Sequence, residues 1–424
     1  MKSDTFEIFT PGIELISQDR IDTRSDEELI ACLRSPIPVR HEKNVWAFWN
    51  DGWDSMRPWT QRNVLGWMRR QGPDWDVRVL DMVPGSATNV QNFIPSPSEY
   101  LPECSRAGTM DGLARGQHAS HMARLPLLYF HGGVWLDVGS LLFRTFDDIS
   151  WREISDPNSP FEMGISLFQS RMYPGQCLTG FIVAKKGNPF IERWMRVWLQ
   201  LWNEYDGKKR TNCLGIHEHP LLKPLGLIVP PDLREDPNPR KLDMGGSGAS
   251  FDLEILTDYL AFNMAYERVR LLVDESTGWN GPAYFRKHVH LIDTVDELWK
   301  SHEMLLQDEV FPLLSLPFKP KIISEDMQQK AATDYVGYVL ANCAIAKHSQ
   351  GHWQPGTRIP LAMSWGMAGN EEADIKPGTW AEYMRWASIY CEQTRYKGTC
   401  LPSLSLAPEK DSIIRAGLLE TEQV

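Results

Sequence analysis

The chain has 424 residues, 42% of them hydrophobic, with a formal net charge of −11 and a mean hydropathy of −0.35. That length fits two or three domains, or one large domain with extensions, and the apolar content is enough for a full core. The acidic balance, with no stripe of Lys or Arg, excludes nucleic acid as a partner, because nothing is placed to displace phosphate counterions.

Seven cysteines at wide spacings, without a CxxC pair, read as reduced thiols rather than a zinc site or a disulfide framework. No N-terminal apolar core of signal-peptide type is present and no run is long enough to span a bilayer, so the expected compartment is the cytoplasm. Seventeen Trp are read first as core.

In chain order, residues 1–42 read as a helical lead-in, with a short helix capped by Ser25. Val45-Trp46-Ala47-Phe48-Trp49 is a continuous apolar run, the mark of a buried strand, and it breaks at Asn50-Asp51-Gly52. A helix over Pro58–Arg70 and a strand over Asp76–Asp81 follow, the start of a parallel doubly wound sheet. Residues 84–110 read as loop. A helix fits Asp111–Phe130, with Pro126 predicting a kink or a late start.

Strands are predicted at Val134–Asp137, Gly164–Phe168, Gly180–Ala184 and Val289–Ile292, and helices over Asn188–Tyr205, Phe251–Arg268 and Val295–Leu306. Residues 206–250 read as Pro- and Gly-rich loops over a cleft. Pro312, Pro317 and Pro320 suggest a linker. Helices are predicted over Glu325–Lys347, capped by Ser324, and Thr379–Thr394, with a mobile tail beyond Pro408. The expected division is a lead-in over 1–42, a main α/β domain over 43–310 and a helical extension over 311–424.

The most informative stretch is His131-Gly132-Gly133-Val134-Trp135-Leu136-Asp137-Val138-Gly139-Ser140, preceded by Ser120-His121-Met122-Ala123-Arg124. An apolar strand there delivers one carboxylate to its C-terminal end, where open α/β sheets hold ligands. This ordered set resembles the capsular-polysaccharide-synthesis type of glycosyltransferase, related to glycosyltransferase family 32. Val45–Gly52 and Thr179-Gly180-Phe181-Ile182-Val183-Ala184 with Asn188-Pro189-Phe190 extend the likeness, from about Val45 to Lys300.

The resemblance implies a GT-A fold, an open Rossmann-like mixed sheet flanked by helices. It also implies a nucleoside-diphosphate sugar donor, with UDP-glucose as the default, a Mg²⁺ or Mn²⁺ ion, and transfer with retention. Donor contacts are then expected from Phe48, Trp49, Asn50, Asp51, His121, Arg124, Gly133, Asp137 and Ser140. Asp137 and Arg124 would be the catalytic pair, an arginine fork suiting phosphate oxygens. Trp279 and Asn280 are the acceptor-side candidates. The expected acceptor is a small-molecule natural product or a glycan, gripped by the 206–250 loops and the C-terminal helices.

Two positions depart from the family pattern. Gly139 stands where a second Asp is usual, which implies either looser metal binding by Asp137 alone or completion of the site by another residue, with His288, His290 or Asp293 as the candidates. His121 stands where Asp is usual. The alternatives are an inactive nucleotide-sugar-binding protein, a metal-independent transferase in which His121, Arg124 and Arg144 replace the ion, and, remotely, a zinc hydrolase built on His118 and His121. His217-Glu218-His219 lies in a loop with no role fixed by the sequence.

Overall fold

The computed structural model describes residues 6–112, 114–168, 177–203, 210–228, 241–243, 250–304, 307–319, 326–348, 359–402 and 412–421. In chain order, the elements that matter begin with strand β1 (Ile13–Leu15), helix α1 (Asp26–Arg34), β2 (Asn44–Phe48), α2 (Pro58–Gln71), β3 (Asp76–Leu80) and α3 (Arg115–His131). Next come β4 (Gly133–Leu136), β5 (Ser140–Leu142), β6 (Met163–Leu167), β7 (Cys177–Ala184), α4 (Pro189–Trp202) and α5 (Ala261–Leu271). The series ends with β8 (Val289–Asp293), α6 (Met327–Asn342), β9 (Ile345–Lys347), α7 (Trp380–Tyr390) and β10 (Cys391–Gln393).

Local chemistry explains most of these boundaries. Ser25 and Glu28 form a capping box that starts α1. Pro58 opens α2 at a position whose N–H has no helical partner. The Asn188 side chain accepts the N–H groups of Phe190 and Ile191 at the start of α4. Helix α3 begins at Arg115, four residues later than the sequence suggests, and runs on through Pro126.

A six-stranded mixed sheet has the order β8-β6-β7-β4-β2-β3. Strand β2 runs parallel to β3 and β4, β7 is antiparallel to β4 and β6, and β6 is parallel to β8. Alternation divides two cores across it. Trp46, Phe48, Trp135 and Ile182 pack with α3, α4 and α5 on one face. Val45, Ala47, Val134, Leu136 and Val183 pack with α1 and α2 on the other. Both faces are covered, which is why β2 and β4 are apolar without a break. Trp194, Trp198 and Trp202 of α4 lie in the first core, as the helical spacing predicts.

A third core joins the two ends of the chain. Ile13, Leu141, Phe143 and Ala346 pack there with α6 and α7, β1 pairs with β10, and β9 pairs antiparallel with β5.

Several expectations fail for tertiary reasons. The helix predicted through Lys347 ends at Asn342. Cys343 turns extended, and residues 345–347 become β9 because β5 offers them a ladder. The predicted Phe251–Arg268 helix is split at Leu260. The Val295–Leu306 segment is a wide turn over Val295–Trp299 followed by helix Lys300–Glu303. Pro312 is no linker residue, since it lies inside helix Gln307–Leu314. Ser324 and Pro320 lie outside the described residues, and Asp326 caps α6. The C-terminal segment is docked: Ile414–Arg415 pairs with Leu272–Asp274, and Arg268 donates to the carbonyls of Gly417, Leu418 and Glu420.

Gly133 is where glycine is required. Its φ is +101°, and a Cβ there would lie 2.3 Å from the Asn44 carbonyl oxygen. Gly133→Ala is expected to cost about 3 kcal/mol of stability, from backbone strain and the clash combined. Chemical denaturation of the two proteins checks it.

Candidate active site

Strands β2 and β4 share a register that pairs Val45 with Val134 and Trp46 with Trp135. Their C-terminal ends, Phe48 and Asp137, therefore reach the same edge. The Asp137 N–H bonds the Gly180 carbonyl at 2.9 Å, which carries the ladder one residue past the strand. Trp135 and Asp137 are two apart, so their side chains share a face, the one turned toward α3. The Trp135 indole donates to Asp137 Oδ1 at 3.0 Å.

Two cations meet this carboxylate. Arg124 Nη2 on α3 lies 3.3 Å from Oδ1, and Lys347 Nζ at the end of β9 lies 2.6 Å from Oδ2. Burial by itself would raise the Asp137 pKa. The Lys347 and Arg124 charges, with the hydrogen bonds from Lys347 and Trp135, outweigh that and hold it well below the usual carboxylate range. The side chain keeps 28% of its surface exposed, so it is an ionised group facing outward from the sheet edge.

Arg124 is different. It is 2% exposed and sits between the rings of Trp135 and Phe262, 4.6 and 5.4 Å from their centroids. Its fork donates to the Thr179 carbonyl, to Ser120 Oγ at 2.8 Å and to Asp137. That geometry fits a residue that fixes the carboxylate, with its terminal nitrogens already engaged. The Tyr259 phenol stands close enough for burial and the Asp137 charge together to push its pKa well up, so it is a neutral hydroxyl.

His121 stacks on Phe262, with centroids 4.3 Å apart and planes 11° from parallel. Burial, then the neighbouring Arg124 and His118, keep it neutral. His118 lies against Trp198 and Trp202, and among the described residues neither of its ring nitrogens has a hydrogen-bond partner. Burial pulls its pKa down to about 4. The unfolded chain takes up this proton near pH 6.5 while the folded protein refuses it, so stability falls as pH drops through that window. Between pH 7.5 and 5 the loss from His118 is expected to be about 2 kcal/mol. Urea titrations at both values should show His118→Phe losing correspondingly less.

The remaining expectations divide by sheet edge. Phe48, Trp49, Asn50 and Asp51 lie at the Asp137 edge, with Asn50 Nδ2 donating to Asp51 at 2.8 Å. Ser140 is buried and pairs with Lys347 across β5 and β9; its carbonyl accepts the Trp67 indole N–H. Gly133 begins β4, at the opposite edge from Asp137, and its role there is steric.

His288 and His290 are also at that opposite edge. Strand β8 starts at Val289 opposite Met163, which pairs in turn with Ala184, the partner of Gly133. His288 bonds the Pro160 carbonyl, and His290 contacts Ser150 Oγ and Cys400 Sγ. They do not join Asp137. Asp293 ends β8 on the Asp137 side, three strands away, where it caps the following turn.

Trp279 and Asn280 are likewise not brought to this site. The Trp279 indole donates to the Val269 carbonyl and packs beneath Arg193. Asn280 caps the helix Gly281–His288. Arg144 is tied to Gln393, Arg395 and Tyr396. His217 is held by Asp258 at 2.6 Å. Much of the 206–250 segment expected over the cleft lies outside the described residues. Among the described residues, no group of three His, Cys, Asp or Glu side chains converges to hold a metal ion.

Sequence reasoning missed Lys347, Tyr259 and the part played by Gly180. A Cβ on Gly180 would lie 2.7 Å from Asp137 Oδ2 and 2.8 Å from Lys347 Nζ, so glycine leaves room for the pair. The short apolar run before Lys347 was the one signal available, and it reads equally as helix.

Known proteins resemble this chain over most of their length. The family described as capsular polysaccharide synthesis protein matches residues 14–210, a span that includes α3, β4 and Asp137. The O-glycosyltransferase braB of Annulohypoxylon truncatum is 40% identical over 97% of this chain and 94% of its own. The glycosyltransferase afumC of Aspergillus fumigatus is 37% identical over 95% of this chain and 98% of its own. The O-glycosyltransferase PaGT of Phomopsis amygdali is 32% identical over 91% of each. Among the described residues, no helix is long and apolar enough to cross a membrane. The chain therefore belongs to the capsular-polysaccharide-synthesis family and is a glycosyltransferase.

Proposed function

We propose that the Asp137 edge binds a nucleoside-diphosphate sugar, UDP-glucose being the first candidate, and passes the sugar with retention to a hydroxyl of a small natural product in the cytoplasm. The fold we assign is GT-A, related to glycosyltransferase family 32. The observation that carries this is the ionised Asp137 at the end of β4, partly exposed, beside the end of β2 and braced by two cations. The O-glycosyltransferase names of the fungal relatives support the oxygen acceptor.

In the transfer, the bond from the anomeric carbon to the β-phosphate oxygen breaks and its electron pair leaves with the diphosphate. A bond from the acceptor oxygen to that carbon forms, and the acceptor proton passes to the departing diphosphate. Developing negative charge on the phosphate is the main thing to stabilise. Phe48 to Asp51 are assigned to the nucleoside and Asp137 to the donor's sugar portion. Among the described residues, Asp137 is the carboxylate placed to hold the Mg²⁺ or Mn²⁺ ion implied by the family, and it is already bonded to Arg124 and Lys347. The described residues do not fit such an ion.

The test is incubation of purified protein with UDP-, GDP- and ADP-sugars and a panel of phenolic and terpenoid alcohols, following both product and free nucleoside diphosphate. Glycoside formation supports the reading, and proton coupling at the anomeric centre reports retention. Donor binding without turnover across the panel would instead favour an inactive nucleotide-sugar binder, the alternative that Gly139 raises.

A further inference from the structure

We propose that Lys347, delivered by the C-terminal part of the chain, contacts the donor diphosphate in place of a divalent cation, so that transfer requires no metal. This rests on the donor reading above.

Four observations carry it. The Lys347 ammonium lies 2.6 Å from Asp137 Oδ2, with its side chain 11% exposed. Among the described residues, it occupies Oδ2 of the carboxylate that a metal would use, while Oδ1 is taken by Arg124 and the Trp135 indole. The position is built by the fold: β9 runs antiparallel to β5 so that Lys347 faces Ser140, and the His348 N–H fixes the next residue to the Gly139 carbonyl at 3.0 Å. Gly180 omits the one side-chain carbon that would force the pair apart.

The electrostatics agree. Arg124, Lys347 and Asp137 together leave a single net positive charge, and His121 and Tyr259 nearby are neutral. A divalent ion would add two more positive charges against two fixed cations. A diphosphate instead meets a cation already placed, and an ammonium on a flexible stem can turn from Asp137 to a phosphate oxygen. Arg124 cannot make that move, because its terminal nitrogens are engaged inside the protein.

The experiment uses the full chain freed of divalent ions with EDTA. UDP binding by calorimetry and UDP-sugar turnover are expected to persist in EDTA and to gain less than twofold from Mn²⁺. Lys347→Met should weaken UDP binding in EDTA at least tenfold and turnover about a hundredfold, while Lys347→Arg recovers most of the binding. A lysine that only braced the fold would change the melting temperature and leave UDP affinity and chelator response alone. If EDTA abolishes wild-type binding and turnover and Mn²⁺ restores both, the proposal is overturned, whether or not the variants fold. If the wild type neither binds nor turns over any nucleoside-diphosphate sugar with Mn²⁺ present, the donor reading itself is what fails.

Discussion

Asp137→Asn is expected to lower kcat/KM for sugar transfer about a thousandfold, roughly 4 kcal/mol of transition-state stabilisation. The amide keeps the shape and an acceptor for the Trp135 indole, but removes the charge that holds Arg124 and Lys347 together. Asparagine separates chemistry from folding better than alanine does, because its amide oxygen still accepts from the Trp135 indole and the Arg124 fork, whereas alanine would leave those buried donors without an acceptor. Steady-state kinetics with saturating acceptor and a thermal melt are the two measurements. Turnover at the wild-type rate in a folded Asp137→Asn protein would remove Asp137 from the mechanism. Because the native carboxyl titrates well below its usual range, the acid limb of the wild-type pH–rate profile should not report this group. The same depressed pKa contributes stability above about pH 4, which is lost as pH falls further toward the folded value.

Arg124→Lys is expected to reduce kcat/KM about a hundredfold and to destabilise the protein by about 3 kcal/mol. One ammonium cannot reproduce a planar fork that meets the Thr179 carbonyl, Ser120 Oγ and Asp137 while lying between two aromatic rings. The effect should fall mainly on kcat, with donor affinity changed less than threefold, because the guanidinium acts through Asp137 in this geometry. A large loss of UDP affinity with an unchanged melting temperature would instead mark Arg124 as a direct phosphate ligand.

Much of this protein was legible from one dimension, and the reason is local. The unbroken apolar runs Val45–Phe48 and Val134–Leu136 mark strands buried on both faces. The Ser25 and Asn188 caps start helices by satisfying nearby N–H groups. Asp137 at the end of an apolar strand and Arg124 on the helix before it are thirteen residues apart, and a single helix-to-strand turn joins them.

The ligand-edge assignments show where that reach ends. Gly133 and Asp137 lie in one short motif, yet strand direction sends them to opposite edges. His290 looks like a late ligand by composition, but parallel pairing of β8 with β6 puts it at the Gly133 edge. Trp279 is a packed core residue.

Sequence patterning alone determined the α/β class and the position of the carboxylate and its helical arginine, and the ordered motifs around them carried the resemblance to the family. Tertiary structure alone decided what else the carboxylate meets. Lys347 is 210 residues away along the chain, in a segment whose local propensity favours continuing α6. It becomes a strand because β5 presents an unpaired ladder, and the register of that ladder, set by packing of the C-terminal helices, aims its ammonium at Asp137.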